Sequence, residues 1–541
     1  MTDPATVPEL LARRAEEFPD RVYLHCGTAT RTYREMRLAS ERGAAGLAGL
    51  GVEPGDRVAL LLPNRVEMAE LFFGCARLGA VQVPLNTYLK GDFLRYQVHD
   101  CAAGTIVLDR PGLAALTPLI NELPDLRRIV LVESGSESDT ESDTEPDTGS
   151  DRVPVVGYHR LPTGSDLPAP PGPGRLCTVM YTSGTTGMPK GCQLSHRYVL
   201  HVGRAWARSV CEFRPGDMIM TPLPMYHTSG QSMGLVAALL EGLTVAIEPS
   251  FSASGFLPRA IELSATVVLG VGAMAHALLS IPESALDRAH RLRLAQWTPL
   301  GVPEQQAFER RFGCVVRGQG YGQTECVPIS FSAPSGTQHP ATCGAPAPWL
   351  DVAVVDELDH PVPVGSTGEI VVRPREPGVM FDGYWGKPAD TLATFRNLWH
   401  HTGDFGRLDA DGQLVYVDRK KDAIRRRGEN VSSVQVEQAI LSHPKVAEVA
   451  VHAVASAATE DDIKACVVAA PGATLTAEEL FEHFAGLLPY FAVPRYVELV
   501  PALPRNALGR VQKHRLRAAP HTPATWDLEQ LGLTVRPEQR R

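Results

Sequence analysis

The ten cysteines of this 541-residue chain form no CxxC pair and no His/Cys cluster at zinc-ligand spacing, which argues against a structural zinc site or a dithiol centre. Met1 to Pro8 lacks the basic start and apolar stretch of an export signal. Scattered cysteines without such a signal are expected to be reduced and mostly buried. No apolar run reaches the roughly eighteen residues that cross a bilayer. Nor is there a basic excess: 52 Lys and Arg stand against 61 Asp and Glu, a formal charge of −9. With no basic stripe to neutralise phosphates, a nucleic-acid partner is not expected. Together these absences describe a cytoplasmic protein without a membrane span, and they leave its chemistry open.

What the sequence does hold is an ordinary globular composition, 44% apolar and 21% charged. Its length exceeds one compact core and predicts about two to four units. Pro8 to Phe18 places Leu10, Leu11 and Ala15 on one helical face. Tyr33 to Leu50 repeats Ala, Leu and Arg near a period of about 3.6 and stops at Gly51, a C-cap residue. Val58 to Leu62 is a short apolar run of the kind that becomes a buried parallel strand. Val66 to Leu78 is helical again, and Ala80 to Val83 is another strand. Such alternation is the mark of a doubly wound α/β architecture.

Glu133 to Asp151 repeats Ser, Asp, Glu and Thr with almost nothing apolar, so it cannot offset its ordering entropy by burial. It reads as a solvated, disordered surface loop rather than a specific acidic interaction tail. Leu161 to Gly174, rich in Pro and Gly, reads as a linker. Gly368 to Arg373 and Gln413 to Val417 look like strands of a smaller β unit. Beyond a boundary near residue 418 come a helix, Val431 to Leu441, two strands, Val446 to Val454 and Ile463 to Val468, and a helix, Leu475 to Leu487. That is a separate α+β module of roughly 120 residues. The expected fold is α/β: a large N-terminal domain of doubly wound subdomains plus a small β unit over 1–417, and a small α+β C-terminal domain over 418–541.

The most informative stretch is Tyr181-Thr-Ser-Gly-Thr-Thr-Gly-Met-Pro-Lys-Gly191. It follows an apolar strand, Cys177 to Tyr181, and precedes a helical pattern from His196 onward. Glycines and small hydroxyl residues let backbone N–H groups approach an oxyanion closely, and the hydroxyls add donors. Thr182, Ser183, Gly184, Thr185, Thr186 and Gly187 thus describe a phosphate cradle, with Lys190 as a mobile positive charge. It is not a Walker A loop, because no GK[ST] ends it. The alternative is a flexible turn without a ligand.

Further motifs follow the same order as a known superfamily over nearly the whole chain. They are Thr32-Tyr33-Arg34-Glu35, Gly55-Asp56-Arg57-Val58, Leu62-Pro63-Asn64, the phosphate loop, and Pro222-Leu223-Pro224-Met225-Tyr226-His227. Then come Tyr321-Gly322-Gln323-Thr324-Glu325, Thr402-Gly403-Asp404, Asp418-Arg419-Lys420-Lys421-Asp422 and Arg427-Gly428-Glu429-Asn430-Val431. The set resembles the adenylate-forming enzymes: acyl-CoA synthetases, peptide-synthetase adenylation domains and luciferases. Phe251 to Phe256, Gly272-Ala273-Met274 and the run from Gly428 look most like the branch that includes carnitine and crotonobetaine CoA ligases.

The resemblance implies roles for individual residues. Glu325 would bind Mg²⁺ between ATP phosphates, a carboxylate role that suits a hard cation. Thr324, next to Gln323 in the nucleotide site, would contact the α-phosphate. Asp404 would hold the ribose hydroxyls, and Arg419 the same ribose or the α-phosphate. His227 would line or gate the acyl pocket. Gly270, Gly272 and Val327 would add small and apolar walls, though each also reads as core. Lys421 stands where the family places the hinge about which the mobile small domain rotates. One site would then serve two half-reactions: a carboxylate joins the α-phosphate of ATP and expels pyrophosphate, and a nucleophile, commonly the thiol of coenzyme A, takes the acyl group. Closure of this kind excludes water from the intermediate.

Two departures stand out. The family's catalytic lysine follows a glycine near the C-terminus, but here Gly509 is followed by Arg510, with Lys513 three residues on. Arginine can neutralise charge on the α-phosphate with a bidentate fork, so Arg510 is placed ahead of Lys513; a surface role for Arg510 stays open. Where the family has Gly-Gly-Ala-Pro beside the adenine, this chain has Gln296-Trp297-Thr298-Pro299. Trp297 can stack on adenine, close the acyl side or pack into the core.

The reading is therefore an ATP- and Mg²⁺-dependent ligase that activates a small carboxylic acid and passes it to coenzyme A. No carrier segment is expected after residue 520, which disfavours a multidomain peptide synthetase. One alternative hands the acyl-adenylate to an amine or carrier protein. Another adenylates nitrite to diazotise an aryl amine, a non-standard pair made more credible by Trp297 and Arg510. The third is a catalytically weak nucleotide or acyl binder, favoured by Arg510 and opposed by Glu325, Asp404 and Lys190.

Overall fold

Short Val/Ile/Leu runs with both faces apolar need cover on both sides, and the chain arranges most of its runs into two seven-stranded sheets. The structure, a computed structural model, describes residues 4–133, 152–164, 166–182, 188–337, 339, 341–419, 424–426, 429–431, 433–456, 461–488, 492–505 and 511–535. One sheet runs Val155–Gly157, Arg128–Leu131, Thr105–Leu108, Arg57–Leu61, Val81–Pro84, Leu176–Thr182, all parallel, and ends on the antiparallel Lys190–Ser195. The other runs Val315–Arg317, Leu294–Trp297, Val267–Gly270, Met218–Thr221, Thr244–Ile247, Val22–Cys26, again parallel, and ends on the antiparallel Ala29–Thr32.

The largest core cluster draws on both sheets, with Leu60 and Val107 from one and Leu24, Ile219 and Val245 from the other. Helix Val66–Leu78 contributes Phe72 and Phe73 and is buried almost all round, as a helix apolar on every face must be. It packs on Tyr33–Gly49 at Gly74, where a Cβ would stand 3.2 Å from the Ser40 carbonyl oxygen, a tight fit that glycine relieves. Thr32-Tyr33-Arg34-Glu35 is a capping box: Thr32 Oγ1 accepts from Glu35 N–H at 3.2 Å, and the Glu35 carboxylate accepts from Thr32 N–H at 2.8 Å. Past the C-cap Leu50, Gly51 has φ +81°.

By its contacts the chain divides into two units: Met1–Val352, Val372–His400 and Asp411–Leu414 in one, Ala353–Val371, His401–Ala410 and Val415–Arg541 in the other. Two segments before residue 418 thus group with the C-terminal unit, not with the large one. Wholly within the first unit lies a three-stranded sheet, Gly320–Gln323, Cys326–Phe331 and Ala345–Pro346. The second unit holds a four-stranded sheet ordered Val446–Ala455, Asp461–Ala469, Tyr496–Leu499, Thr525–Asp527. Helices Ser433–Leu441 and Ala477–Ala485 share its core through Val436, Ile440, Leu480 and Phe484.

None of the ten cysteines is in a disulfide, and nine are buried. Among the described residues no helix is long and apolar enough to cross a membrane. Of the acidic stretch only Glu133 is described; 134–151 lie outside the described residues.

Candidate active site

The phosphate motif sits on the hairpin that ends the first sheet. Leu176–Thr182 pairs antiparallel with Lys190–Ser195, bringing Thr182 opposite Lys190 and Tyr181 opposite Gly191. Thr182 Oγ1 donates to the Lys190 carbonyl at 3.4 Å. Ser183, Gly184, Thr185, Thr186 and Gly187 lie outside the described residues. The Lys190 side chain is a third exposed, with its amine 3.3 Å from Asp390 and 5.0 Å from the centroid of the Tyr384 ring.

Thr324 and Glu325 occupy the tip of a second hairpin, closed by the Gln323–Cys326 pair. Buried Tyr198 fixes this tip from beneath: its hydroxyl donates to the Thr324 carbonyl and accepts from Val327 N–H, both at 3.0 Å. Glu325 is 8% exposed, and its carboxylate accepts from the Tyr384 hydroxyl at 2.7 Å. Burial, then the Glu325 carboxylate, push the Tyr384 phenol up, so it stays a donor. One tyrosine therefore touches both Lys190 and Glu325. The thiol of Cys192 is pushed up by burial and by the same carboxylate.

Tyr384, Lys387 and Asp390 were not anticipated. They recur every three residues along one short segment, and each meets a different group: Glu325, Asp100 and Lys190. The Gly383-Tyr-Trp-Gly-Lys-Pro388 turn was the available signal.

His227 is half-buried, its ring edge-on to Tyr226 at 4.8 Å. The Leu62-Pro63-Asn64 motif positions this loop: Asn64 donates to the Leu223 and Glu248 carbonyls at 3.0 and 2.9 Å and accepts from Met225 N–H at 2.8 Å. A π-helical turn, Ser229–Val236, follows, an irregularity frequent at functional sites. Val327 is buried and precedes a cis Pro328. Gly272 starts helix Gly272–Ser280, and a Cβ on it would meet the Pro299 carbonyl oxygen at 2.0 Å.

Trp297, expected on two of its three readings to face a ligand, is instead wholly buried. Its ring packs against Phe256 and Phe308 at 5.8 and 5.7 Å, under helices Ala253–Glu262 and Val302–Phe312. Gly270, its neighbour in register, makes the room: a Cβ there would lie 2.1 Å from Trp297 Cζ3. The other face of the strand carries Gln296, whose amide donates to Thr298 Oγ1 at 2.7 Å.

In the second unit, Asp404 is almost fully buried and pairs with Arg419 at 3.0 Å. Its strand is held by Thr402, whose hydroxyl donates to the Ile370 carbonyl at 2.7 Å, and by Gly403 N–H, which donates to Glu369 at 3.2 Å. Lys421 and Arg510 lie outside the described residues. The Lys513 amine is engaged twice, by Ser433 at 2.6 Å and Glu437 at 2.8 Å, and its side chain is 15% exposed.

Among the described residues no group of three or more His, Cys, Asp or Glu gathers at metal-ligand spacing. A protein site that offers one carboxylate suits Mg²⁺ completed by phosphate oxygens and water. Glu325, partly desolvated and oriented by Tyr384, fits that pattern.

Residues 11–385 match the family of AMP-binding enzymes, and residues 435–510 match the AMP-binding enzyme C-terminal domain. The crotonobetaine/carnitine–CoA ligase of Shigella flexneri is 30% identical over 495 residues, spanning 90% of this chain and 93% of the relative. The ligase of the same name from Escherichia coli O139:H28 matches over the same span at the same identity. Among solved structures, the anthranilate CoA ligase AuaEII in complex with anthranoyl-AMP gives a TM-score of 0.83 at 25% identity, covering 96% of this chain and 98% of that one. ATP-bound MatB from Rhodopseudomonas palustris gives 0.81 at 27% identity, covering 94% and 98%.

Proposed function

Because the chain belongs to the family of AMP-binding enzymes, with AMP-forming acid:CoA ligases as its relatives, we propose that it activates a small carboxylic acid for transfer to coenzyme A. The acid displaces pyrophosphate from ATP to give an acyl-adenylate, and the thiol of coenzyme A then displaces AMP. The observation that carries this reading is the convergence of Lys190 and Glu325, from two separate hairpins, on Tyr384. A part-exposed ammonium and a buried, oriented carboxylate on the same tyrosine are what a polyphosphate with its cation requires.

In this reading the Thr182–Gly187 segment and Lys190 hold the phosphates, and Thr324, with Gln323, meets the α-phosphate. Glu325 supplies one carboxylate ligand to Mg²⁺, which when bound neutralises phosphate charge. Asp404 accepts from both ribose hydroxyls, with Arg419 beside it. His227, Gly272 and Val327 shape the acid pocket, and Lys421 serves as the hinge. The double engagement of Lys513 favours Arg510 as the cation for the developing charge on the α-phosphate.

The test is ATP-dependent pyrophosphate release against aryl, short-chain and long-chain acids and nitrite, each with and without coenzyme A. Release with an organic acid, accelerated by coenzyme A, is expected. Release with nitrite alone, or with no acid at all, overturns the reading.

A further inference from the structure

Asp100 is the last residue of helix Gly91–Asp100, a poor place for a carboxylate because the helix dipole there is negative. Both of its oxygens are nonetheless engaged. Oδ2 accepts from the Tyr181 hydroxyl at 2.7 Å, and Oδ1 accepts from the Lys387 amine at 2.6 Å. Its side chain is 13% exposed, so the Lys387 pair is well shielded from solvent. One turn earlier on the same helix, Tyr96 donates to the Pro189 carbonyl at 3.0 Å, and the Lys387 amine lies 5.7 Å from the Tyr96 ring centroid.

Tyr181, on the first strand of the hairpin, and Pro189, just before the second, lie on either side of the Thr182–Gly187 segment. A single helix end therefore grips both flanks through residues at i and i+4. Lys387 lies three residues before Asp390, which pairs with Lys190, and three after Tyr384, which holds Glu325.

We propose that Asp100 is a positioning residue for the ATP-phosphate site, tying the strand of Tyr181, through Lys387, to the segment that carries Tyr384 and Asp390, the partners of Glu325 and Lys190. The inference rests on the reading of Lys190 and Glu325 as the phosphate site. Asp100 touches no reacting atom, so its effect falls on nucleotide binding.

The experiment measures the affinity of the full-length chain for MgATP by calorimetry, together with KM for ATP, KM for the acid and Tm. It compares the wild type with D100N, Y181F and the double variant. D100N keeps the shape but loses the charge that holds Lys387, and is expected to weaken MgATP about tenfold, the scale of a hydrogen bond to a charged group. KM for ATP rises in parallel while KM for the acid stays within about twofold, and the double variant is less than additive because both changes cut one network. Y181F deletes a single hydroxyl and keeps the test alive if D100N fails to fold. Unchanged MgATP affinity in folded D100N or Y181F, or an acid KM that moves as far as the ATP KM, overturns the inference alone. A wild-type chain that does not bind MgATP sinks the functional reading and this inference with it.

Discussion

The two seven-stranded sheets end alike, each on one antiparallel strand, yet the two edge hairpins are different objects. In Val22–Cys26 with Ala29–Thr32 the connection is two residues, Gly27 and Thr28, with Gly27 at φ +59°. The phenols around it end on backbone: Tyr23 donates to the Leu235 carbonyl at 2.8 Å and Tyr33 to the Leu243 carbonyl at 2.6 Å. In Leu176–Thr182 with Lys190–Ser195, Tyr181 and Lys190 end instead on side chains, Asp100 and Asp390. A buried bond to a carbonyl cannot be given up without orphaning the acceptor. A half-exposed ion pair exchanges its partner for a phosphate at little cost. The first hairpin is built to stay as it is, and the second holds a pair it can release, as the proposed phosphate site requires.

The sharpest way to break this contrast is Lys190→Ala. We expect a loss of about 10²–10³-fold in kcat/KM for pyrophosphate release, the scale of removing one group that stabilises developing charge. Tm should hardly move, and a collapse in Tm would mean that both hairpins are structural. The mirror experiment is Tyr23→Phe, which leaves the Leu235 carbonyl without its donor. A destabilisation of about 1–3 kcal/mol by urea unfolding is expected, with kcat/KM unchanged. Changed kinetics there would erase the distinction. The smallest effect concerns a third hairpin, whose tip places Asn397 and Leu398 at φ +50° and +64°, with Leu398 81% exposed. Leu398→Gly should stabilise by about 1 kcal/mol, since glycine alone adopts that backbone freely. A loss of stability instead would show that the exposed leucine packs on something.

The sheets were legible because buried parallel strands announce themselves as apolar runs: Val58 to Leu62 and Ala80 to Val83 predicted what became Arg57–Leu61 and Val81–Pro84. Helix Val66–Leu78 was read to the residue. The Thr32 to Glu35 motif was legible as a resemblance, and its physical meaning, a capping box, was also within reach of its S/T-x-x-E spacing. Tyr384, Lys387 and Asp100 were not legible. Tyr384 finds Glu325 across 59 residues and Lys387 finds Asp100 across 287, and no local period encodes a side-chain pair at that range. The grouping of Ala353–Val371 and His401–Ala410 with the C-terminal unit was hidden for the same reason: it is set by long-range contact rather than by composition. Trp297 was ambiguous because a lone aromatic carries no direction until its neighbours are known.

Those neighbours give the Trp297 site an order of change as well as a shape. With a Cβ at position 270 falling 2.1 Å from the indole, the two positions cannot be altered in either order. Enlarging residue 270 first drives a side chain into a fixed ring, whereas shrinking residue 297 first opens the room that a larger residue 270 then fills. Any laboratory series that exchanges the two positions has one passable route, and a library that randomises Gly270 alone will return the glycine.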